Sequence, residues 1–391
     1  MRETDIISLF FSRGAQDPKT SARNHASRLK SASEPESASE SDLPRDDCAR
    51  LDSATIVTTD SLAEGTHFRR DWSGPEDLAI KLWNVNVSDI AASGGDPEWC
   101  LLNLGLPSDT GDDWIREFAE ALTAEVERDG GRLVGGDTYR SSLLTLTLTL
   151  AGKLPKNHDD SARPPARSAK QSNAHDAASH RYIDRRGARP DDAIYVTGAP
   201  GLSLLGYEIL SGRRTRITKH GAHRALYQAA VERHLRPRAR LAWSRTLRKN
   251  ADLHSMMDLS DGLDADLLRL VEANPGLRYE IDCALLPLSD LRQERDVTPG
   301  DGGHPASPDE VRAALAACEI TEDGWRELAL ASGEEFELLF SAPPGLRFEF
   351  PCTQIGRISA DLEGPAGGPA SERLRLLNAP IKQTPRWYQH F

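Results

Sequence analysis

From Leu144 to Leu150 the chain reads Leu-Thr-Leu-Thr-Leu-Thr-Leu. Strict alternation predicts a half-buried strand, because successive side chains on a strand point to opposite faces of its sheet. The run follows Gly135-Gly136-Asp137-Thr138 directly. That tetrapeptide reads as a tight turn whose glycines also let the backbone approach a phosphate closely. Ala54 to Thr59 reads as a strand entering a loop at Asp60. Ser73-Gly74-Pro75-Glu76-Asp77 carries helix-start signals, and the helix they open runs to about Ser93. Asn86, Asp89 and Ser93 share one polar face of it.

Six short acidic motifs are spread over the chain. They are Asp46-Asp47, Thr58-Thr59-Asp60-Ser61, Asn86-Val87-Ser88-Asp89, Gly135-Gly136-Asp137-Thr138, Asp258-Leu259-Ser260-Asp261-Gly262 and Gly333-Glu334. Taken singly, each aspartate reads equally as a helix cap or turn former. Taken together, they supply hard oxygen donors, which suit Mg²⁺ with its waters and substrate phosphates. A fold that gathers them needs divalent cations between them, since like charges repel. In the segment from Asp258 to Gly262, the functional reading turns two carboxylates to metal, while Ser260 and the helix start face phosphate.

The second half reads as a strand at Ala193–Thr197, a helix to about Leu210, another helix after Gly262 and a strand over Phe336–Phe340. The fold class is therefore α/β (α+β), with two mixed domains. The first spans 1–155, with a low-complexity insertion at about 16–41. A flexible insertion follows at 156–182, and the second domain covers 183–391 with an aromatic tail. A helix over 6–11, a loop at 299–303 and a Gly/Pro turn at 364–368 complete the outline. The net charge of -12 argues against nonspecific nucleic-acid binding but not against an anionic substrate held through metal. The sequence holds no apolar run of membrane-spanning length. Its five cysteines include no CxxC pair, so reduced thiols in the cytoplasm are expected. Gly201 to Gly206 has P-loop glycine spacing but continues Tyr207-Glu208, which excludes a Walker site. Trp387-Tyr388-Gln389-His390-Phe391 either packs on the core or stacks on a flat ligand.

Several segments, in order, resemble the thiamine-monophosphate kinase family of the aminoimidazole-ribonucleotide synthetase superfamily. They are Asp46-Asp47-Cys48-Ala49, Thr58-Thr59-Asp60-Ser61-Leu62, Gly65-Thr66-His67-Phe68, Val85 to Gly94 with Asp96-Pro97, Val134 to Thr138, Tyr195 to Gly198, His234 to Pro237, Asp258 to Leu263, Gly333 to Leu338, and His390-Phe391. Arg45 stands where the family usually has glycine before its paired aspartates, and Ser332 where it has the first glycine of Gly-Gly-Glu.

The resemblance implies ATP-dependent phosphorylation of thiamine monophosphate to thiamine diphosphate, with no covalent nucleophile on the enzyme. It implies Mg²⁺ on Asp47, Thr58, Thr59, Asp60, Asp89, Asp137, Asp258 and Asp261. Gly136, Asp137, Arg185 and Ser260 would serve ATP, and His67, Glu334 and Trp387 the thiamine moiety. It further implies a homodimer with the N-terminal sheet at its interface. Two alternatives remain open: another ATP-consuming synthetase of the superfamily, or a nucleotide-binding protein without catalysis.

Overall fold

The computed structural model describes residues 46–156, 180–288, 308–361 and 369–380. The expected helix over 6–11, the insertion at 16–41, most of that at 156–182, the 299–303 loop, the 364–368 turn and Trp387 lie outside them. The first half builds a five-stranded sheet from β1 (Ala49–Arg50), β2 (Thr55–Ala63), β3 (Asp96–Leu106), β4 (Leu133–Arg140) and β5 (Thr145–Lys153). Their order is β1-β2-β5-β3-β4. The alternating run forms the central strand β5, antiparallel to β2 on one side and β3 on the other. Leu146, Leu148 and Leu150 are fully buried, whereas Thr145, Thr147 and Thr149 stay partly exposed.

Helices α1 (Pro75–Ala92) and α2 (Asp112–Asp129) cover the leucine face. The start of α1 follows its sequence signals. Pro75 opens the first turn, and the Asp77 carboxylate accepts the Gly74 backbone N–H at 2.8 Å. Fourteen of its 18 residues are buried, so α1 is enclosed on nearly all sides rather than amphipathic.

Two local expectations in the first sheet are corrected. Strand β2 continues through Asp60 to Ala63, because β5 pairs with it over nine residues, from Thr55↔Lys153 to Ala63↔Thr145. Gly136 lies inside β4 rather than in a turn, in parallel register with Leu102 of β3. A Cβ on Gly136 would stand 1.7 Å from the Leu102 carbonyl oxygen, so this pairing requires glycine.

The second sheet consists of β6 (Ala193–Thr197), β7 (Ser255–Asp258), β8 (Leu277–Asp282), β9 (Leu338–Ala342), β10 (Cys352–Ala360) and β11 (Leu374–Leu377). Its order is β11-β8-β10-β6-β9-β7. Around it stand α3 (Leu202–Leu210), α4 (Arg224–Leu235), α5 (Leu241–Leu247), α6 (Leu263–Ala273), α7 (Pro308–Ala317), α8 (Glu322–Ala331) and the short α9 (Ala370–Arg373). Ile194, Val196 and Leu339 pack in one core with Leu263, Leu267 and Leu270 of α6. The alternate residues Tyr195, Leu338 and Phe340 join a second core with Leu247. Burial on both faces explains why these strands read as short continuous apolar runs. Both sheets belong to one compact unit. No helix among the described residues is long and apolar enough to cross a membrane.

A buried ion network fixes the entry to β9. Arg233 Nη1 donates to Glu335 Oε2 at 2.9 Å and to Glu337 Oε1 at 3.0 Å, and Arg240 Nε donates to Glu337 Oε2 at 2.8 Å. Thr197 Oγ1 adds a bond to Glu337 Oε2 at 2.6 Å. Breaking a buried pair leaves a charge uncompensated. Glu337→Ala is therefore expected to cost about 3–5 kcal/mol. Urea unfolding should show a lower midpoint, and an unchanged midpoint would refute the role given to this network.

Candidate active site

Three segments far apart in sequence converge here. Asp47 precedes β1, Asp89 lies in the last turn of α1, and Asp258 ends β7. One carboxylate oxygen from each lies within 4.8 Å of the others. Hydroxyls hold two of them. Thr58 Oγ1 of β2 donates to Asp89 Oδ2 at 2.5 Å, and Ser88 Oγ donates to Asp258 Oδ2 at 2.5 Å. The Asp60 N–H donates to Asn86 Oδ1 at 3.0 Å, so β2 and α1 are registered at this point.

The electrostatics reflect crowding. Burial, then the charges of Asp60, Asp258 and Asp47, push the Asp89 carboxyl well above the ordinary carboxylate range. Asp258 is raised likewise, by burial and then by Asp47. Burial also raises Asp47, against the pull of Arg185, which bonds to it. Asp46 is pushed up to about 7 by burial and by Asp47. Tyr182 donates to Asp46 at 2.7 Å, and the Arg185 Nε stands 3.5 Å from it.

The donor set fits a hard divalent cation. It offers converging carboxylate oxygens with hydroxyls behind them. Asp47 Oδ2 is buried and has no hydrogen-bond partner among the described residues.

The pleat of the first sheet divides the remaining residues. Thr58 and Asp60 face α1, whereas Thr59 turns to the opposite face. There its hydroxyl lies 3.0 Å from that of Thr149. Asp137 shares a cross-strand row with Asn103, Thr147 and Ser61, so it too stands on that open face. The structure thus brings Asp47, Thr58, Asp60, Asp89 and Asp258 together and leaves Thr59 and Asp137 apart from them. Gly136 stands beside Asp137 in exposed β4. Asp261 is held by Arg269, which also reaches Asp266 at 2.8 Å. Arg185 occupies the acidic cluster itself, paired with Asp47.

Glu334 is fixed in a loop stitched to the Asp258–Asp261 segment. Its N–H donates to Ser260 O at 2.7 Å, the Phe336 N–H to Leu259 O at 2.8 Å, and the Leu259 N–H to Glu337 O at 2.8 Å. Glu334 and Phe336 adopt φ of 56° and 52°, conformations that non-glycine residues rarely hold unless their surroundings impose them. A Cβ on Gly333 would stand 2.9 Å from Ser260 O, so glycine permits the approach. His67 lies in the turn after β2. Its Nδ1 accepts the Ala63 N–H at 3.0 Å, which leaves Nε2 to carry the ring proton in the neutral form.

Sequence reading passed over Lys81, which bonds to Glu334 at 2.8 Å with both side chains buried. The signal was available: a lysine between Leu78 and Val85, inside the apolar stripe of α1, must have a buried partner. It also missed the aromatic path beside that pair. Trp72 meets Tyr207 edge-on at 6.3 Å, and Tyr207 lies 5.8 Å from His234. Tyr182 and Arg269 were missed as well, because nothing local marks them.

A group whose folded pKa lies above its unfolded value weakens the fold as pH rises between the two. Asp46 ionises near 3.8 when unperturbed and near 7 in the fold. Its contribution is therefore fully favourable below about pH 4 and drains away towards pH 7. Metal-free protein in chelator should lose several degrees of melting temperature between pH 5 and pH 7.5. Asp46→Asn should flatten that slope; an equal slope in the variant would contradict the assignment.

Residues 45–154 match the family described as AIR synthase related protein, N-terminal domain. The thiamine-monophosphate kinase of Leptospira interrogans is 37% identical over 325 residues, covering 82% of this chain and 86% of that protein. The thiamine-monophosphate kinase of Escherichia coli K12 is 36% identical over 333 residues, covering 82% and 84%. Among solved structures, AaThiL complexed with AMPPCP and TMP has a TM-score of 0.66 at 27% identity, covering 90% of this chain and 93% of that one. Thiamine monophosphate kinase from Aquifex aeolicus has a TM-score of 0.63 at 26% identity, covering 87% and 93%. With relatives this similar over nearly their whole length, and with the acidic motifs gathered as described, the chain belongs to the thiamine-monophosphate kinase family.

Proposed function

We infer that this chain catalyses ATP-dependent phosphorylation of thiamine monophosphate to thiamine diphosphate, a step of thiamine diphosphate biosynthesis. The observation that carries the reading is the convergence of Asp47, Asp89 and Asp258 from three separate segments, in a chain of this family. The bond between the β,γ-bridging oxygen and the γ-phosphorus of ATP breaks, and an oxygen of the acceptor phosphate bonds to that phosphorus. The acceptor phosphate is largely ionised near neutral pH, so no strong general base is needed. Phosphoryl transfer asks mainly for positioning and charge stabilisation.

Asp47, Asp89 and Asp258, backed by Thr58 and Asp60, would hold Mg²⁺, and Asp261 lies in the adjoining loop. Mg²⁺ held there would supply the charge that offsets the repulsion between two anionic reactants. Arg185 offers a planar fork suited to a phosphate. Ser260 and the start of α6 offer a hydroxyl and backbone N–H groups to the nucleotide. His67 and Glu334 would face the thiamine moiety, to which the family resemblance also assigns Trp387. Thr59 and Asp137 serve from the open sheet face, with Gly136 beside Asp137 in β4.

That face and its edge expose Leu101, Leu133, Val134 and Tyr139, a cluster that a second copy of the chain would cover. We assign the homodimer interface there. All five cysteines are free, which supports a cytoplasmic setting.

Purified protein with Mg·ATP and thiamine monophosphate should yield thiamine diphosphate and ADP; ATP binding without product would overturn the reading. Asp89→Asn should lower kcat by about 100-fold or more, the scale of losing one preorganised electrostatic contact. Its metal-free melting temperature should hold or rise, because the change relieves repulsion. Near-normal turnover would remove Asp89 from the site. Light scattering should give twice the 42.9 kDa chain mass, and Leu133→Glu should shift it towards monomer. A monomeric wild type would refute the interface.

A further inference from the structure

Lys81 is 3% exposed in the middle of α1. A buried ammonium is costly unless its three donors find acceptors. Here they do. Lys81 Nζ donates to Glu334 Oε2 at 2.8 Å, to the His67 carbonyl at 3.2 Å and to the His234 carbonyl at 3.5 Å. The acceptors come from the turn after β2, the end of α4 and the loop before β9. Two of them belong to the residues assigned above to the thiamine moiety.

We propose that Lys81 is a positioning residue for the thiamine end of the site: it locks the Glu334 carboxylate and the His67 turn into one arrangement, and it presents Glu334 to substrate as a charge-balanced hydrogen-bond acceptor. The proposal rests on the reading of Glu334 as a thiamine contact. A carboxylate has about four lone-pair sites, so one held by Lys81 can still accept further N–H groups. Its net pull on a cation is another matter. Paired with an ammonium at 2.8 Å, it acts at a distance as a dipole, not as an anion. His234, 3.8 Å from Glu334, adds no charge, because burial and Lys81 lower its pKa to about 3. Glu334 therefore selects the exocyclic amine of the aminopyrimidine and not the positive thiazolium.

The test compares Lys81→Met, Lys81→Arg, Glu334→Gln and the double variant Lys81→Met/Glu334→Gln. For each, KM for thiamine monophosphate, KM for ATP and the melting temperature are measured. Lys81→Met should raise KM for thiamine monophosphate about tenfold or more, the scale of a charge-assisted hydrogen bond, while KM for ATP stays nearly constant. Lys81→Arg should recover part of the loss. Lys81→Met leaves a carboxylate unpaired and can fail to fold. The double variant is neutral throughout, and it should fold with a KM close to that of Glu334→Gln alone. A substrate analogue with a neutral thiophene in place of thiazolium should bind wild type nearly as well as substrate, and one with oxygen in place of the amine should bind poorly. If Glu334→Gln raises KM for thiamine monophosphate but Lys81→Met raises both KM values equally or neither, the proposal falls and the reading of Glu334 stands. The opposite analogue ranking also overturns the proposal. If Glu334→Gln leaves KM unchanged, the underlying reading falls instead.

Discussion

Repulsion among carboxylates sets the terms for the rest of this molecule. Three of them share a space 4.8 Å across, partly withdrawn from water. Such groups hold protons, recruit counter-charges or separate. The fold answers with Arg185 on Asp47, a threonine hydroxyl on Asp89 and a serine hydroxyl on Asp258. These contacts keep the oxygens converged without satisfying them all, and Asp47 Oδ2 has no partner among the described residues. That repulsion weighs against the stability of the fold, and a bound cation would relieve it.

The strain is contained by a rigid surround. Ser88 and Ala91 of α1 bond directly to the second half, through Asp258 and through the Ser244 hydroxyl at 2.5 Å. The Glu334 loop is tied by three backbone hydrogen bonds to the loop that carries Asp258. Behind it, Arg233 and Arg240 clamp Glu335 and Glu337. Glu335 in turn accepts the Gly201 and Ser203 N–H groups, so the start of α3 is fastened to the same loop. The segment after Asp258 and the Glu334 loop therefore form one body.

How much of this was legible in the sequence depends on whether each feature is local. The alternation of β5 and the start of α1 depend on neighbouring residues, and they read correctly. The extent of β2 depends on pairing with β5, roughly ninety positions away, so Asp60 was expected in a loop. Gly136 has the composition of a turn, yet it is glycine because a neighbouring strand passes too close for a side chain. Strand β9 begins two residues later than expected because Glu334 and Phe336 are held in left-handed conformations by partners elsewhere in the chain. Which face of the sheet each predicted ligand occupies follows from period two once the strand is known, and it separates Thr59 from Thr58. Lys81 was readable in principle, as a charge in an apolar stripe.

Helix α1 carries Lys81 near its middle and Asp89 near its end, eight residues apart, a rise of about 12 Å. It is enclosed on nearly every side. On the assignments proposed above, it would set the spacing between the Glu334 end of the site and the Asp89 end. A molecule with the right rings but a longer or shorter tether would then meet one end and miss the other, and the backbone itself would judge substrate length.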